Sequence, residues 1–437
     1  MELDKTTFFD LSVFNAEDEF SVFGKLDATQ TSSGRDEFRR IMLTPLKTKE
    51  EIEAVQQVLK HIAEKENGWT NLISNGTIMV VERFYHATLD EIPAYPSAVS
   101  AAMYKLFSGQ DYSLVKYSAK HCFDFIKGMG QLNHLLFVRD AETPLQKLLS
   151  SCQSILQHMD EYMGGYNAAE EMPKTALLRF AHFIRYRFKN QMQALLQMHA
   201  TIDAWHGMAL AVKKYQLVFP ELVASATPVI EARGLYHILL ERPVSYDTVL
   251  NKEANFLFLT GANMAGKSTF IKAVGIAVFL AHIGMGVPAT LMHLSVFDGL
   301  LSNINIADDI HKGESFFYNE VQRVKAMLQK VNDGKKWLIL IDELFKGTNV
   351  DDAMKCSATV IEGLLKVKGS LFILSTHLYE IGQQLGKYPN ISFNYFETGI
   401  ENGQLQFNYT LKPGISNDRL GYLILKNEGV VKMLEDL

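Results

Sequence analysis

The stretch "TGANMAGKSTFIKAV", residues 260–274, decides the fold. Gly261 is followed, after Ala262, Asn263, Met264 and Ala265, by Gly266, Lys267 and Ser268, with Thr269 next. That is the spacing of a phosphate-binding loop. The apolar run "FLFLT" (256–260) precedes it and reads as a buried strand. An apolar, helix-periodic run follows, so the loop has the strand-to-helix setting that the motif requires. Glycines let backbone N–H groups turn toward phosphate oxygens, and a helix N-terminus adds the positive end of its dipole. Lys267 is then placed to reach the β and γ phosphates of a nucleotide, and Ser268 to hold Mg²⁺.

Two further short apolar runs, "LILID" (338–342) and "LFILST" (371–376), read as buried parallel strands. Asp342 ends the first of them and is a candidate Mg²⁺ ligand. Glu343 stands next, where it can orient and polarise an attacking water. His377 follows the second run in "STH" and can sense a γ-phosphate through a hydrogen bond. "ISFNYFETGIENGQLQFNYTL" (391–411) alternates on both sides of Asn402-Gly403, which predicts a hairpin. Residues 228–437 therefore read as an α/β nucleotide-binding domain of the phosphate-loop type, with a mainly parallel sheet and an antiparallel edge.

Residues 1–227 read instead as a helical domain. "FRRIMLTPLKTKEEIEAVQQVLKHIAEK" is helix-periodic on both sides of Thr44-Pro45, and Thr48 with Glu51 predicts a capping box. "GGYNAAEEMP" (164–173) is a break. From Thr175 to about Tyr215 the helical period continues without proline, predicting one helix of about 60 Å, a lever or strut. Two ordinary helices broken near Gly207 would fit the same residues. Lys174, Arg179, Arg185, Arg187 and Lys189 form a basic stretch interleaved with Phe180, Phe183, Tyr186 and Phe188. It could meet a DNA backbone, or be a solvated face opposite an aromatic core face.

The chain of 437 residues carries 47% apolar and 21% charged residues and a net charge of −6, so any contact with nucleic acid has to be local. Cys122, Cys152 and Cys356 have neither disulfide-framework nor metal spacing, which points to a reducing, cytoplasmic setting. The N-terminus lacks a signal-peptide pattern. Ala273–Ala289, the most apolar run, contains His282, Gly284, Gly286 and Pro288 and reads as a buried helix on a sheet, not a membrane span.

Taken in order, "TGANMAGKST", "LILIDELFKGTNVDDA" and "STH" resemble the ATPase domain of the MutS mismatch-repair family. "ADDIHKGESFFYNEVQRV" (307–324) is similar to the family's signature segment, and "LKPGISNDRLGY" (411–422) to its C-terminal Pro-Gly segment. "LDATQTSSGRDEFRRIMLTPLKTKEEIEAVQQVL" (26–59) resembles the start of the core or lever domain. "DAWHGMALAVKKYQLVFPELVASATPVIEARGLYHILL" (203–240) resembles the junction from lever to ATPase. The resemblance implies ATP hydrolysis with Mg²⁺, a homodimer closed by ATP through its ATPase domains, DNA as a backbone-contacted partner, and a role in mismatch repair with other repair proteins.

The departures are specific. The match begins near residue 9, so a truncated member without mismatch-reading and connector domains is expected, with weak mismatch selectivity. Ala262 and Ala265 replace the family's usual proline and glycine, and Asn349-Val350 its Ser-Thr. "RPVSYD" (242–247) lacks the adenine-stacking phenylalanine, leaving Tyr246 as the candidate for that place. Apolar residues at 317, 321, 324, 328 and 331 predict an amphipathic helix with Ser315 at its N-cap. Alone, that is an ordinary capped helix; the resemblance implies that Ser315 reaches a partner's γ-phosphate across the dimer. Three functions stay open: an ATP-driven protein of distorted DNA, a nucleotide-switched module that binds protein and no DNA, and a transporter-type or chromosome-organising ATPase. The last predicts Leu-Ser-Gly-Gly before "LILIDE", where the chain has "QKVNDGKKW".

Overall fold

The computed structural model describes residues 1–139, 142–305, 316–401, 404–416 and 430–435. The first half runs β1 (Glu2–Leu3), α1 (Lys5–Asp10), α2 (Val22–Leu26), α3 (Ser32–Leu43), α4 (Lys49–Glu64), α5 (Asn75–His86), α6 (Ala98–Phe107), α7 (Gly109–Leu136), α8 (Pro144–Leu156), α9 (Asp160–Met163), α10 (Lys174–Tyr186) and α11 (Lys189–Lys214). There follow β2 (Glu221–Leu222), β3 (Ile230–Leu235), β4 (Tyr246–Leu250), β5 (Phe256–Thr260), α12 (Lys267–His282), β6 (Leu291–Leu294), β7 (Gly299–Asn303), α13 (Phe316–Val331) and β8 (Trp337–Asp342). The rest is α14 (Val350–Leu364), β9 (Ser370–Ser375), α15 (Tyr379–Leu385), β10 (Ile391–Glu401), β11 (Gln404–Pro413) and α16 (Val430–Glu435).

These elements form two compact units. One is Leu26–Leu43 with Ala54–Lys214; the other is Met1–Lys25, Thr44–Glu53 and Tyr215–Leu437. Both are discontinuous, unlike the continuous 1–227 and 228–437 expected. The reason is long-range pairing: β1 lies parallel to β7, and Asp10 at the end of α1 accepts Ile304 N at 2.9 Å and Asn305 N at 3.0 Å.

The helical unit is held by buried polar latches as well as apolar packing. Asp203 on α11, 2% exposed, accepts Gln30 N, Thr31 N and Thr31 Oγ1 at 3.0, 2.9 and 2.6 Å, and so caps the chain entering α3. Gly207 lies so close to Thr29 that a Cβ there would sit 2.8 Å from its nitrogen. The single long helix expected over 175–215 is instead α10 and α11. The break falls at Arg187, the C-cap of α10 with φ −115°, and not at Gly207, which is inside α11. The basic stretch is also divided by use. Arg185 donates from its guanidinium to Phe84 O and Ala87 O, closing the carbonyl end of α5. Arg179 pairs with Glu161 at 2.7 Å and covers the Tyr162 ring. Arg187 and Lys189 remain exposed.

In the α/β unit, seven strands lie in the order β1-β7-β8-β9-β5-β10-β11. All pairs are parallel except β10 with β11, so the hairpin edge expected from 391–411 is present; Asn402 and Gly403 lie outside the described residues. β5, β8 and β9 are buried along their whole length, as continuous apolar runs require. The four-stranded sheet β2-β6-β3-β4 was not predicted. The expected capping box forms, with Glu51 N to Thr48 Oγ1 and Thr48 N to Glu51 Oε2 both at 3.2 Å. Among the described residues no helix is long and apolar enough to cross a membrane, and the apolar run after residue 273 continues the buried α12.

Trp337 begins β8, 1% exposed, with Nε1 donating to Asp333 Oδ1 at 3.0 Å. Its ring fills the space beside Gly299, where a Cβ would come within 2.0 Å. Trp337→Ala is expected to cost about 3–5 kcal/mol of stability through the cavity left behind. Urea denaturation of the α/β unit checks this; a loss below about 1 kcal/mol contradicts the packing.

Candidate functional site

The site lies where parallel strands end, the crevice in which open α/β sheets bind ligands. β8, β9 and β5 are neighbours, and their register sets Asp342 opposite Ser375 and Ser375 opposite Leu259. The chain leaving β5 forms the 261–266 loop. Gly261 has φ 138° and Gly266 φ 108°, where L side chains are strained. A Cβ on Gly261 would also lie 3.0 Å from Phe396 O. Ala265 needs no such freedom, since only Met264, at φ 68°, joins the two glycines among left-handed residues of the loop. This is why alanine serves at 265.

Gly266 is the N-cap of α12. Lys267 is 5% exposed and donates to Gly261 O at 2.8 Å and Ala262 O at 3.0 Å. Burial lowers its pKa, against the opposing pull of Glu343 and Asp342. Asp342 accepts the Ser268 hydroxyl on one oxygen and the Ser375 hydroxyl on the other. A buried carboxylate facing a serine hydroxyl is a hard-oxygen set suited to a divalent cation.

Glu343 sits just beyond β8 at φ 65°, its N–H bonded to Ser375 O at 3.0 Å. His377 Nδ1 lies 3.4 Å from its Oε1 and Lys346 Nζ 3.2 Å from its Oε2. Burial pushes the carboxyl up, but His377 and Lys346 outweigh it and hold its pKa at about 2. It is therefore ionised at neutral pH.

A cavity of about 650 Å³ opens onto Lys267, Ser268, Asp342 and Glu343. Its lining includes Asn263, Met264, Gly266, Lys267, Ser268, Thr269, Asp342, Glu343 and Lys346, together with Leu240, Arg242, Val244, Tyr246 and Tyr409. Of the residues expected from sequence, the loop, Asp342, Glu343 and His377 come together. Tyr246 reaches the cavity wall, but it is 6% exposed and meets Phe270 and Phe396 edge-on at 5.5 and 5.6 Å. The exposed aromatic is Tyr409 on β11, at φ 52°. Ser315 lies outside the described residues. Tyr409 and Ser375 were missed because only the hairpin pairing and the strand register bring them here, and Lys346 because its pairing with Glu343 depends on the left-handed turn of the loop after β8.

The fold and crevice define a mixed α/β domain with a charged cluster at the carboxyl ends of a parallel sheet, in a chain that also carries a helical unit. Residues 257–434 match the family model for MutS domain V. The chain is 27% identical over 272 residues to DNA mismatch repair protein MutS of Streptococcus pneumoniae serotype 19F (strain G54), covering 60% of this chain and 32% of that protein. It is 28% identical over 276 residues to DNA mismatch repair protein MutS of Streptococcus sanguinis (strain SK36), covering 61% and 32%. DNA mismatch repair protein HexA of Streptococcus pneumoniae (strain ATCC BAA-255 / R6) matches at 27% over 272 residues. The chain is MutS-like, and its similarity to MutS domain V lies over residues 257–434. The matched stretch spans about a third of the length of these relatives.

Proposed function

We propose that this chain is a phosphate-loop ATPase of the MutS kind, which binds ATP with Mg²⁺ in the 650 Å³ cavity and hydrolyses it while acting on DNA in the cytoplasm. The observation that carries the reading is the meeting of Lys267, Ser268, Asp342, Glu343 and His377 at the ends of adjacent strands. Backbone N–H groups of the loop and the Lys267 ammonium would hold the β and γ phosphates. Ser268 and Asp342 would hold Mg²⁺, which when bound draws charge from those phosphates. Tyr409, with Leu240 and Val244 nearby, takes the base-contacting place expected for Tyr246. Glu343 orients a water, whose oxygen attacks the γ-phosphorus. The bond to the β–γ bridging oxygen breaks, ADP leaves, and the water's proton passes to the phosphate released. His377, beside Glu343, would bond the γ-phosphate.

By the same reading, ATP closes a homodimer through these domains, with Ser315 reaching the partner's nucleotide, and turnover moves the helical unit. DNA is met by Arg187 and Lys189. The second reading is a nucleotide-switched module that binds a protein and no DNA. Two observations favour it: Arg179 and Arg185 are committed within the fold, and Val99, Met103, Leu106 and Phe107 expose an apolar stripe on α6.

ATPase rate with and without duplex DNA at two salt concentrations separates the two. We expect stimulation that falls steeply with salt, as phosphate contacts require. Replacing Arg187 and Lys189 together by alanine should weaken all duplexes alike and flatten the salt slope by about two contacts. A rate indifferent to DNA at both salts favours the protein-binding module.

A further inference from the structure

We propose that Glu320 is a positioning residue for hydrolysis: its carboxylate clamps the backbone of the loop carrying Glu343 and so fixes where the Glu343 carboxylate stands. The inference rests on the reading of Glu343 as the group that orients water.

Glu320 lies on the second turn of α13 and is 1% exposed. By helical spacing it falls between Phe317 and Val324, on the face α13 turns to the core. A carboxylate there is costly unless its oxygens are bonded. Both are: Oε1 accepts Lys346 N at 3.0 Å and Oε2 accepts Gly347 N at 3.1 Å. One side chain thus grips two successive amides of one loop.

That loop needs gripping. Glu343 and Phe345 have φ 65° and 59° without being glycine, a conformation that persists only when its surroundings over-determine it. At one end Glu343 N is tied to Ser375 O at 3.0 Å. In the middle, Phe345 is buried and packs on the Phe317 ring at 5.6 Å. At the other end stands Glu320. Lys346 makes the connection direct, because its backbone N–H is held by Glu320 and its ammonium pairs with Glu343 Oε2 at 3.2 Å. Three residues on, Arg323 donates to Asn303 Oδ1 at 3.2 Å and Asn305 O at 2.8 Å. The same stretch of α13 therefore braces the exits of both β7 and β8, and a displacement of α13 re-aims Glu343.

The test compares Glu320→Gln, Glu343→Gln and the double variant in the whole chain. It measures the Kd of a fluorescent ATP analogue, the single-turnover hydrolysis rate, and backbone hydrogen exchange over 343–348. Glutamine keeps the size of Glu320 but turns an amide NH₂ toward one of the two backbone N–H groups. We expect hydrolysis to fall at least tenfold with Kd within threefold, faster exchange in 343–348, and no further loss when Glu320→Gln is added to Glu343→Gln. If Glu320→Gln does not fold, Glu320→Asp keeps both oxygens one methylene short of the loop and should give the same split. Turnover within twofold of wild type, or a rate that falls only in step with ATP affinity, overturns the positioning role and leaves the ATPase reading standing. Wild-type turnover by Glu343→Gln overturns the reading of the site, and the role of Glu320 with it.

Discussion

Lys267→Ala is expected to reduce ATP affinity at least a hundredfold while leaving the fold intact. One ammonium at about 4 Å from a phosphate charge is worth about 4 kcal/mol at an effective dielectric of about 20, up to about three orders of magnitude in Kd. The loss is not made good by solvent, because Lys267 is 5% exposed at the floor of the cavity. Its substitution also leaves Gly261 O and Ala262 O without the donor they have at 2.8 and 3.0 Å, so the loop loses an internal tie as well as a charge. Titration with a fluorescent ATP analogue, beside a circular dichroism melt, checks the prediction. A Kd within threefold of wild type, with the melt unchanged, would remove Lys267 and with it the assigned loop.

How much of this was legible beforehand depended on the distance over which each feature is encoded. "FLFLT", "LILID" and "LFILST" read as buried strands because a strand covered on both faces must be apolar throughout, and β5, β8 and β9 follow. The loop could be read because glycine is demanded locally, by φ 138° at Gly261 and φ 108° at Gly266. The break between α10 and α11 could not, because Phe188 is itself buried and continues the apolar period across Arg187. Arg185 looked like part of a nucleic-acid face because its charge is visible in sequence and its partners, the carbonyls of Phe84 and Ala87, are not. The same holds for Glu320, whose place beside Phe317 and Val324 is visible in sequence while its partners, the amides of Lys346 and Gly347, are not. Tyr246 and Tyr409 divide in the same way. Both are tyrosines in alternating strands, and only the packing of Phe270 and Phe396 on Tyr246 decides which of them is left exposed at the cavity. The two-residue β1 gave no pattern to read, yet its pairing with β7 helps bring the first 25 residues into the α/β unit.

Glu343→Gln is expected to separate binding from turnover. Glutamine keeps the length of the side chain and the left-handed backbone already adopted at φ 65°, so the loop and the phosphate contacts should persist and ATP affinity should stay within threefold. What disappears is the anion that orients the water, together with its pairing to His377 and Lys346. Removing one preorganised electrostatic group from an active site costs about 10²–10³-fold, so the hydrolysis rate should fall by about that much, or about 3–4 kcal/mol of activation free energy. If ATP joins two copies and hydrolysis parts them, the slow variant should also collect as a dimer when ATP is present, and wild type should pass through that state transiently. Gel filtration with light scattering, run with ATP and with ADP, reads the dimer directly, and single-turnover kinetics reads the rate. A Glu343→Gln protein that stays monomeric with ATP yet hydrolyses it at the wild-type rate would sink both the catalytic assignment and the closure model. One that is slow but monomeric would keep Glu343 as the water-orienting group and reject the composite dimer site.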